Sequence, residues 1–240
     1  MASGRPLRRV AGDPGYPLSR DLWPGSIPAV RQLLEEGLDL GPLTILVGEN
    51  GSGKSTLVEA LAMAFGMSSE GGSTGARHAT RPSESELHRH LTLTREPGGA
   101  RWGFFLRAET MHSFYTYLED NPGSSGAEPL FHEMSHGESF LEVLAARFAD
   151  PGLYLLDEPE AALSFSGALA LVAVLQDIAA DRRSQAVVAT HSPIVAAAAG
   201  ATLYEVGPWG LRRSEWADLS LVRDWRSFLD DPDRYLRHLR

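Results

Sequence analysis

The sequence predicts an α/β fold in which helices cover both faces of a mainly parallel sheet and a small antiparallel β element is attached. Three observations favour this fold. The apolar run 43–47 leads through a glycine-rich loop into a helical pattern at 54–65. Strand and helix patterns then alternate over 136–206, which is typical of parallel sheets. Two β patterns, 90–94 and 102–106, flank a Pro-Gly-Gly turn and predict a hairpin.

The composition limits the class of protein. A chain of 240 residues with 43% hydrophobic residues can bury the core of one large α/β domain. Cysteine is absent, so there is neither a disulfide framework nor a thiolate metal site. No apolar run reaches the roughly 18 residues of a membrane span, so we expect a cytoplasmic protein without membrane insertion. The net charge of −9 argues against a uniformly basic surface for nucleic acid, although a local patch stays open.

The domain organisation follows from the distribution of small and polar residues. The Pro-, Gly- and Arg-rich stretch 1–28 predicts a flexible N-terminal segment, and 29–240 predicts a single domain. Within that domain, 66–86 predicts a mobile loop, and 219–240 predicts C-terminal helices broken near Pro232. The remaining predicted elements, in chain order, are helix 29–36, helix 136–149, strand 153–157, helix 164–180, strand 186–190, helix 193–199 and strand 202–206.

The glycine-rich loop at 48–55 matches G-x-x-x-x-G-K-S, the P-loop pattern. Its glycines let the backbone N–H groups point inward around phosphate oxygens, and the following helix adds its positive dipole end. Lys54 is the only lysine among 22 Lys and Arg residues, and its compact ammonium can reach between β- and γ-phosphates. The predicted ATP-binding residues are Asn50, Gly51, Ser52, Gly53, Lys54, Ser55 and Thr56, with the Ser55 hydroxyl on Mg²⁺.

The apolar strand 153–157 ends in two carboxylates, Asp157 and Glu158. Because parallel sheets hold ligands at the carboxyl ends of their strands, we expect Asp157 to support Mg²⁺. Glu158 would orient the attacking water and accept its proton. His191 ends the strand 186–190 and would donate a hydrogen bond to the γ-phosphate. The alternative is that Ser192 caps a following helix and that His191 is incidental.

A third polar segment, 135–138, lies at the start of the predicted helix 136–149 and directly before its apolar part, 140–148. Ser135 and Glu138 have the spacing of a capping box, which is a sufficient structural explanation. The same serine-capped helix start, with Gly137, is also an anion site. It could receive the γ-phosphate of ATP that is bound to another subunit.

These motifs, in this order, resemble the ABC ATPase superfamily, with the closest likeness to its soluble SMC/RecF-like branch and to stand-alone bacterial ATPases labelled AAA family. The resemblance spans 40–206, with 22 residues from Ser135 to Asp157 and 34 from Asp157 to His191. It implies a P-loop NTPase fold of ABC-ATPase type, with ATP and Mg²⁺ as ligands. It also implies catalytic roles for Glu158 and His191. The signature residues Ser135, Gly137 and Glu138 would act in trans, in a homodimer that sandwiches ATP, and 160–164 stands at the D-loop position.

The chain departs from the family pattern at two places. His136 replaces the first glycine of the usual Ser-Gly-Gly-Gln or Ser-Gly-Gly-Glu signature. No glutamine occurs between Lys54 and Ser135, so Arg107 or Glu109 is left as the counterpart of the Q-loop glutamine. Only 25 residues separate Glu109 from Ser135, which leaves no room for the long coiled coil of SMC proteins.

The function predicted from these features is Mg²⁺-dependent ATP hydrolysis by a dimer that acts as a conformational switch. The molecule on which the switch acts is left open between DNA and a partner protein. One alternative is a P-loop kinase for a small molecule, for which Arg77, Arg81 and Arg89 are available over the phosphates. Another is a slow, nucleotide-switched interaction module, because the Q-loop glutamine is missing. GTP is disfavoured as the ligand, since a guanine-reading N-K-x-D motif needs a second lysine.

Overall fold

The computed structural model describes residues 4–74, 85–107, 148 and 150–237. Among them the helices are α1 (Pro28–Glu36), α2 (Lys54–Phe65), α3 (Phe165–Ala180), α4 (Ser220–Asp230) and α5 (Asp233–Leu236). The strands are β1 (Arg9–Gly12), β2 (Leu38–Asp39), β3 (Leu43–Val47), β4 (Gly72–Ser73), β5 (Leu91–Thr94), β6 (Gly103–Arg107), β7 (Leu153–Asp157), β8 (Gln185–Thr190), β9 (Thr202–Gly207) and β10 (Gly210–Ser214).

The larger of two sheets contains seven strands in the order β10-β9-β3-β8-β7-β6-β4. Its five central strands are parallel, and only the edge strands β10 and β4 run antiparallel. The register pairs Arg107 with Asp157 and Val47 with Thr190. The carboxyl ends of β3, β6, β7 and β8 therefore meet at one edge of the sheet, where loops and side chains can form a site.

Helices cover both faces of this sheet. On β7, Tyr154 and Leu156 belong to one apolar cluster, whereas Leu153 and Leu155 belong to the other. This alternation is the period of two that places successive strand residues on opposite faces. The first cluster includes Leu171, Leu175 and Ile178 of α3, and the second includes Leu57, Val58 and Leu61 of α2. The predicted α/β fold, with a mainly parallel sheet and a small antiparallel element, is confirmed.

The small antiparallel element is a three-stranded sheet in the order β2-β1-β5. The hairpin predicted from 90–94 and 102–106 is wrong, because β5 pairs with β1 while β6 joins the large sheet beside β7. Four of the five residues of β6 are buried, but no residue of β5 is. A continuous apolar run suits a strand that is covered on both faces, and an alternating polar run suits an exposed sheet.

The N-terminal stretch contributes to the core. Residues 9–12 form the middle strand of the small sheet, and Leu7 and Val10 are buried. The side-chain amide of Gln185 accepts a hydrogen bond from Leu7 N at 2.9 Å. It also donates to the carbonyls of Leu7 and Gly41, each at 2.8 Å. Residues 7–12 of the stretch predicted to be flexible are therefore held in the fold, Leu7 by the side chain of Gln185 and residues 9–12 by pairing with β2 and β5.

Several other predictions can be compared with the structure. The helix predicted at 193–199 is reduced to a short 3-10 turn at Val195–Ala197. The predicted loop 66–86 contains the short strand β4, and its residues 75–84 lie outside the described residues. The predicted helix 136–149 also lies outside them, except for residue 148. The C-terminal helices break at residues 231–232 as predicted. No helix in the described part of the chain has the length and apolar character needed to cross a membrane.

Candidate functional site

The glycine-rich loop joins β3 to α2 at the edge where the parallel strands end. Gly51 has φ 78° and Gly53 has φ 101°, both in the left-handed region that favours glycine. A Cβ atom built on Gly53 would lie 2.7 Å from Cγ2 of Ile27. Residue 53 must therefore be glycine both for its backbone angles and for the close approach of the segment that precedes α1.

Lys54 is the first residue of α2, and its side chain is 2% exposed. Its Nζ donates a hydrogen bond to the carbonyl of Glu49 at 2.9 Å and lies 3.8 Å from Oε1 of Glu158. Burial lowers the pKa of Lys54, and the carboxylates of Glu158, Asp157 and Glu160 oppose this by favouring the charged form. An anionic phosphate beside Nζ would add to their effect. The free site thus holds a desolvated cation that an anion would stabilise.

Glu158 follows the last residue of β7 and has φ 50°, the only positive φ of a non-glycine residue in the described chain. Its backbone N–H donates to the carbonyl of Ala189 at 2.9 Å, which fixes this turn against β8. The Glu158 carboxylate oxygen Oε1 lies 3.8 Å from Nζ of Lys54 and 3.6 Å from Nδ1 of His191. The structure therefore brings Lys54, Glu158 and His191 together from three separate elements, at a strained turn of the kind that often marks a site.

Glu160 is part of the same network, although the sequence pattern gave it no role beyond its D-loop position. Its Oε1 accepts hydrogen bonds from the Thr190 hydroxyl and, at 2.9 Å, from the backbone N–H of His191. The same oxygen lies 3.7 Å from Nδ1 of His191. Glu160 thereby fixes the backbone that carries the imidazole. The sequence signal that could have identified Glu160 is the presence of a third acid shortly after Asp157 and Glu158.

Ser192 makes hydrogen bonds of the kind expected of a cap, although only a 3-10 turn follows in place of the predicted helix. Its Oγ accepts hydrogen bonds from the backbone N–H groups of Ile194 at 3.2 Å and Val195 at 3.4 Å. The neighbouring His191 still lies beside Glu158 and is 45% exposed. The two interpretations of this segment are therefore compatible, because the cap and the imidazole use different atoms.

Arg107 ends β6 directly beside Asp157 in the sheet register. Its Nη1 donates to Oε2 of Glu59 on α2 at 2.8 Å, and its Nε lies 3.7 Å from Oδ2 of Asp157. Of the two residues that the sequence left for the Q-loop position, Arg107 thus lies at the site. The other, Glu109, lies outside the described residues.

A cavity of about 660 Å³ opens between the loop and the strand ends, which is within the usual size of a small-molecule site. Six of the seven predicted ATP-binding residues line it; the seventh, Ser52, lines a neighbouring cavity instead. The complete lining is Trp23, Ile27, Asn50, Gly51, Gly53, Lys54, Ser55, Thr56, Arg107, Asp157, Glu158 and Ala161.

The predicted magnesium ligands fit the donor chemistry of that ion. Ser55 and Asp157 line the same cavity, and a hydroxyl and a carboxylate are the oxygen donors that Mg²⁺ prefers. Across the described ranges, no group of three or more His, Cys, Asp or Glu is arranged to hold a metal ion. The predicted signature residues Ser135, Gly137 and Glu138 lie outside the described residues.

Comparison with known proteins agrees with these motifs. Residues 27–101 match the family model of the AAA domain. Over 167 residues the chain is 29% identical to the zinc import ATP-binding protein ZnuC of Paracoccus denitrificans, an alignment that covers 65% of this chain. The chain is similar to ABC-superfamily ATPases. The resemblance predicted from the sequence is thereby confirmed, although the match spans only 61% of the length of ZnuC.

Solved structures with some likeness to this chain include an SMC head domain and an ABC transporter cassette. The SMC head domain from Thermotoga maritima has a TM-score of 0.45 and 18% identity, over 75% of this chain and 93% of that chain. A dimeric bacterial ABC transporter cassette has a TM-score of 0.43 and 14% identity, over 75% of this chain and 88% of that chain.

Proposed function

We propose that this protein binds ATP with Mg²⁺ in the 660 Å³ cavity and hydrolyses it to ADP and phosphate. The observation that carries the proposal is the convergence of a buried ammonium, a carboxylate and an imidazole at the mouth of a phosphate-binding loop. Glu158 lies within 3.8 Å of Lys54 and within 3.6 Å of His191. The similarity of the chain to ABC-superfamily ATPases supports the same assignment.

The loop would hold the triphosphate. The left-handed backbone at Gly51 and Gly53 would let N–H groups of the loop face the phosphates, and α2 begins at Lys54 with its positive dipole end at the cavity. Lys54 would lie against the β- and γ-phosphates. Ser55 and Asp157 would hold Mg²⁺, which when bound neutralises part of the phosphate charge. Trp23 also lines the cavity and could cover the base by stacking.

Glu158 would act on the water molecule. A phosphate at Lys54 would replace Glu158 as the nearest anion to Nζ, which frees the carboxylate to orient a water. The water oxygen attacks the γ-phosphorus, the bond to the β,γ-bridging oxygen breaks, and ADP leaves with the electron pair. The water proton passes to Glu158. His191 would donate a hydrogen bond to the γ-phosphate, and Glu160 would hold the His191 backbone in place.

The test is the variant Glu158→Gln, which keeps the shape of the side chain but removes its ability to accept a proton. We expect binding of a fluorescent ATP analogue to persist and hydrolysis to fall by about 100-fold or more. Glu86→Gln is the matched control, because Glu86 is exposed and pairs only with its neighbour Arg89 among the described residues. Turnover of Glu158→Gln at the wild-type rate would contradict the role of Glu158.

We further propose that two copies of the chain sandwich ATP and act as a conformational switch. This rests on the capping-box sequence of residues 135–138, an anion-binding pattern that could close over the γ-phosphate held by the other copy. With ATP and Mg²⁺ present, Glu158→Gln should trap the closed state and double the mass measured by light scattering. A monomeric variant at micromolar concentration would refute the sandwich. Stimulation of wild-type turnover by DNA, RNA or a cell extract would identify the class of target.

A slow nucleotide-switched interaction module is the second candidate. Arg107, rather than glutamine, lies beside the proposed metal ligand Asp157 and is tied to Glu59, which favours slow turnover. Single-turnover hydrolysis measured beside nucleotide binding separates the two candidates. Tight binding of ATP with little or no hydrolysis would favour the interaction module. Rapid hydrolysis over many turnovers would favour the ATPase cycle.

A further inference from the structure

Among the described residues, the proposed nucleotide site contains more carboxylates than cations. Two positively charged side chains, Lys54 and Arg107, face four acids, and the acids come from α2, from the last residue of β7 and from the segment that follows it. Those acids are Glu59, Asp157, Glu158 and Glu160. A triphosphate entering this site meets repulsion from the carboxylates before any metal ion is bound, so the placement of each cation matters.

Arg107 is built into the acidic part of the site. Its side chain is 23% exposed, and those of its partners Glu59 and Asp157 are 13% and 5% exposed. Water and salt therefore screen this group weakly. The three residues come from β6, α2 and β7, so the position of the guanidinium is held by two neighbouring elements of the fold.

We propose that Arg107 is a positioning residue that serves as a fixed cation of the triphosphate site. It offsets Glu59 and Asp157, so that a triphosphate can bind before a divalent cation arrives. The same guanidinium lies 3.7 Å from the Asp157 carboxylate, so it weakens the binding of a divalent cation there when no nucleotide is present. The inference rests on the proposed nucleotide binding and deepens it.

Two variants should shift the site in opposite directions. Arg107→Gln removes the fixed cation, so metal-free ATP should bind on the order of tenfold more weakly and Mn²⁺ severalfold more tightly. Glu59→Gln removes a carboxylate 2.8 Å from Arg107, so metal-free ATP should bind more tightly and Mn²⁺ more weakly. A merely structural role for Arg107 would not reverse the sign between the two ligands.

The experiment measures binding, not turnover. A fluorescent ATP analogue is titrated into the full chain once with EDTA and once with Mg²⁺, and Mn²⁺ is titrated without nucleotide by electron paramagnetic resonance. Arg107→Lys keeps the charge and should retain most of the metal-free affinity. Arg89→Gln is the control, because Arg89 is exposed, pairs with Glu86 and does not line the proposed nucleotide cavity. If Arg107→Gln does not fold, Arg107→Lys and Glu59→Gln still test the proposal.

The outcomes separate this inference from the proposed function. Wild-type protein that binds the analogue only with Mg²⁺ would overturn the inference and leave the proposed function intact. Wild-type protein that binds it in neither condition would overturn both. The inference would also be overturned if Arg107→Gln bound the ATP analogue in EDTA as tightly as the wild type does. The same holds if the affinity of this variant for Mn²⁺ did not rise.

Discussion

Gln185 offers a sharp test of how the N-terminal stretch is held in the fold. Its side chain is fully buried and makes three hydrogen bonds, to both backbone groups of Leu7 and to the carbonyl of Gly41. Leu7 is 178 residues away in sequence. The substitution Gln185→Leu introduces an apolar side chain of roughly similar size that can make none of these bonds. We expect it to destabilise the protein and to release residues near Leu7.

The magnitude follows from the bonds that are lost. A neutral hydrogen bond contributes about 1 kcal/mol, and a buried polar group left without a partner costs about 1–3 kcal/mol. Three such bonds therefore predict a decrease of about 3–5 kcal/mol in the free energy of unfolding. This is a large part of the roughly 5–15 kcal/mol that stabilises a typical domain.

Urea unfolding followed by circular dichroism measures the change, and hydrogen exchange at the Leu7 amide locates it. Gln176→Leu is the matched control, because Gln176 lies on α3 and is only partly buried. A loss no larger than that of the control, with unchanged exchange at Leu7, would refute the anchoring of the N-terminal stretch by Gln185.

Three further predictions concern the site and the far edge of the sheet. Lys54→Met should abolish stabilisation by ATP in thermal unfolding without lowering the melting temperature of the free protein, because burial disfavours the Lys54 cation. Gly53→Ala should cost at least about 1–2 kcal/mol in urea unfolding and weaken nucleotide binding, and Ile27→Ala should not restore the loss that comes from φ 101°. Burial opposes ionisation of Glu205, but hydrogen bonds from Arg212 and from the backbone of Ser220 win and lower its pKa from 4.5. Its stabilising effect is then present above about pH 4.5 and lost as the pH falls through the lowered pKa, so the difference in unfolding free energy between wild type and Glu205→Gln should shrink in acid.

The hairpin shows where sequence patterns failed. The two β patterns around the Pro-Gly-Gly turn are real strands, but β5 and β6 belong to different sheets. A local pattern indicates that a segment is extended and how many of its faces are buried. It does not state which strand lies beside it, and here the partner of β5 is β1, which comes from a Pro- and Gly-rich stretch with a weak strand pattern.

The sequence by itself determined the glycine-rich loop, the acids at and just after the end of β7 and the histidine after β8. Each is a contiguous signal, because glycine backbone angles, strand burial and the polar residue at a strand end are properties of neighbouring residues. Tertiary structure alone decided that Arg107 contacts Glu59 and lies beside Asp157, and that Glu160 holds the backbone of His191. These partners lie on separate elements, 31 residues apart for Glu160 and His191 and 48 for Arg107 and Glu59. Only the packing of those elements brings their charges within a few ångströms.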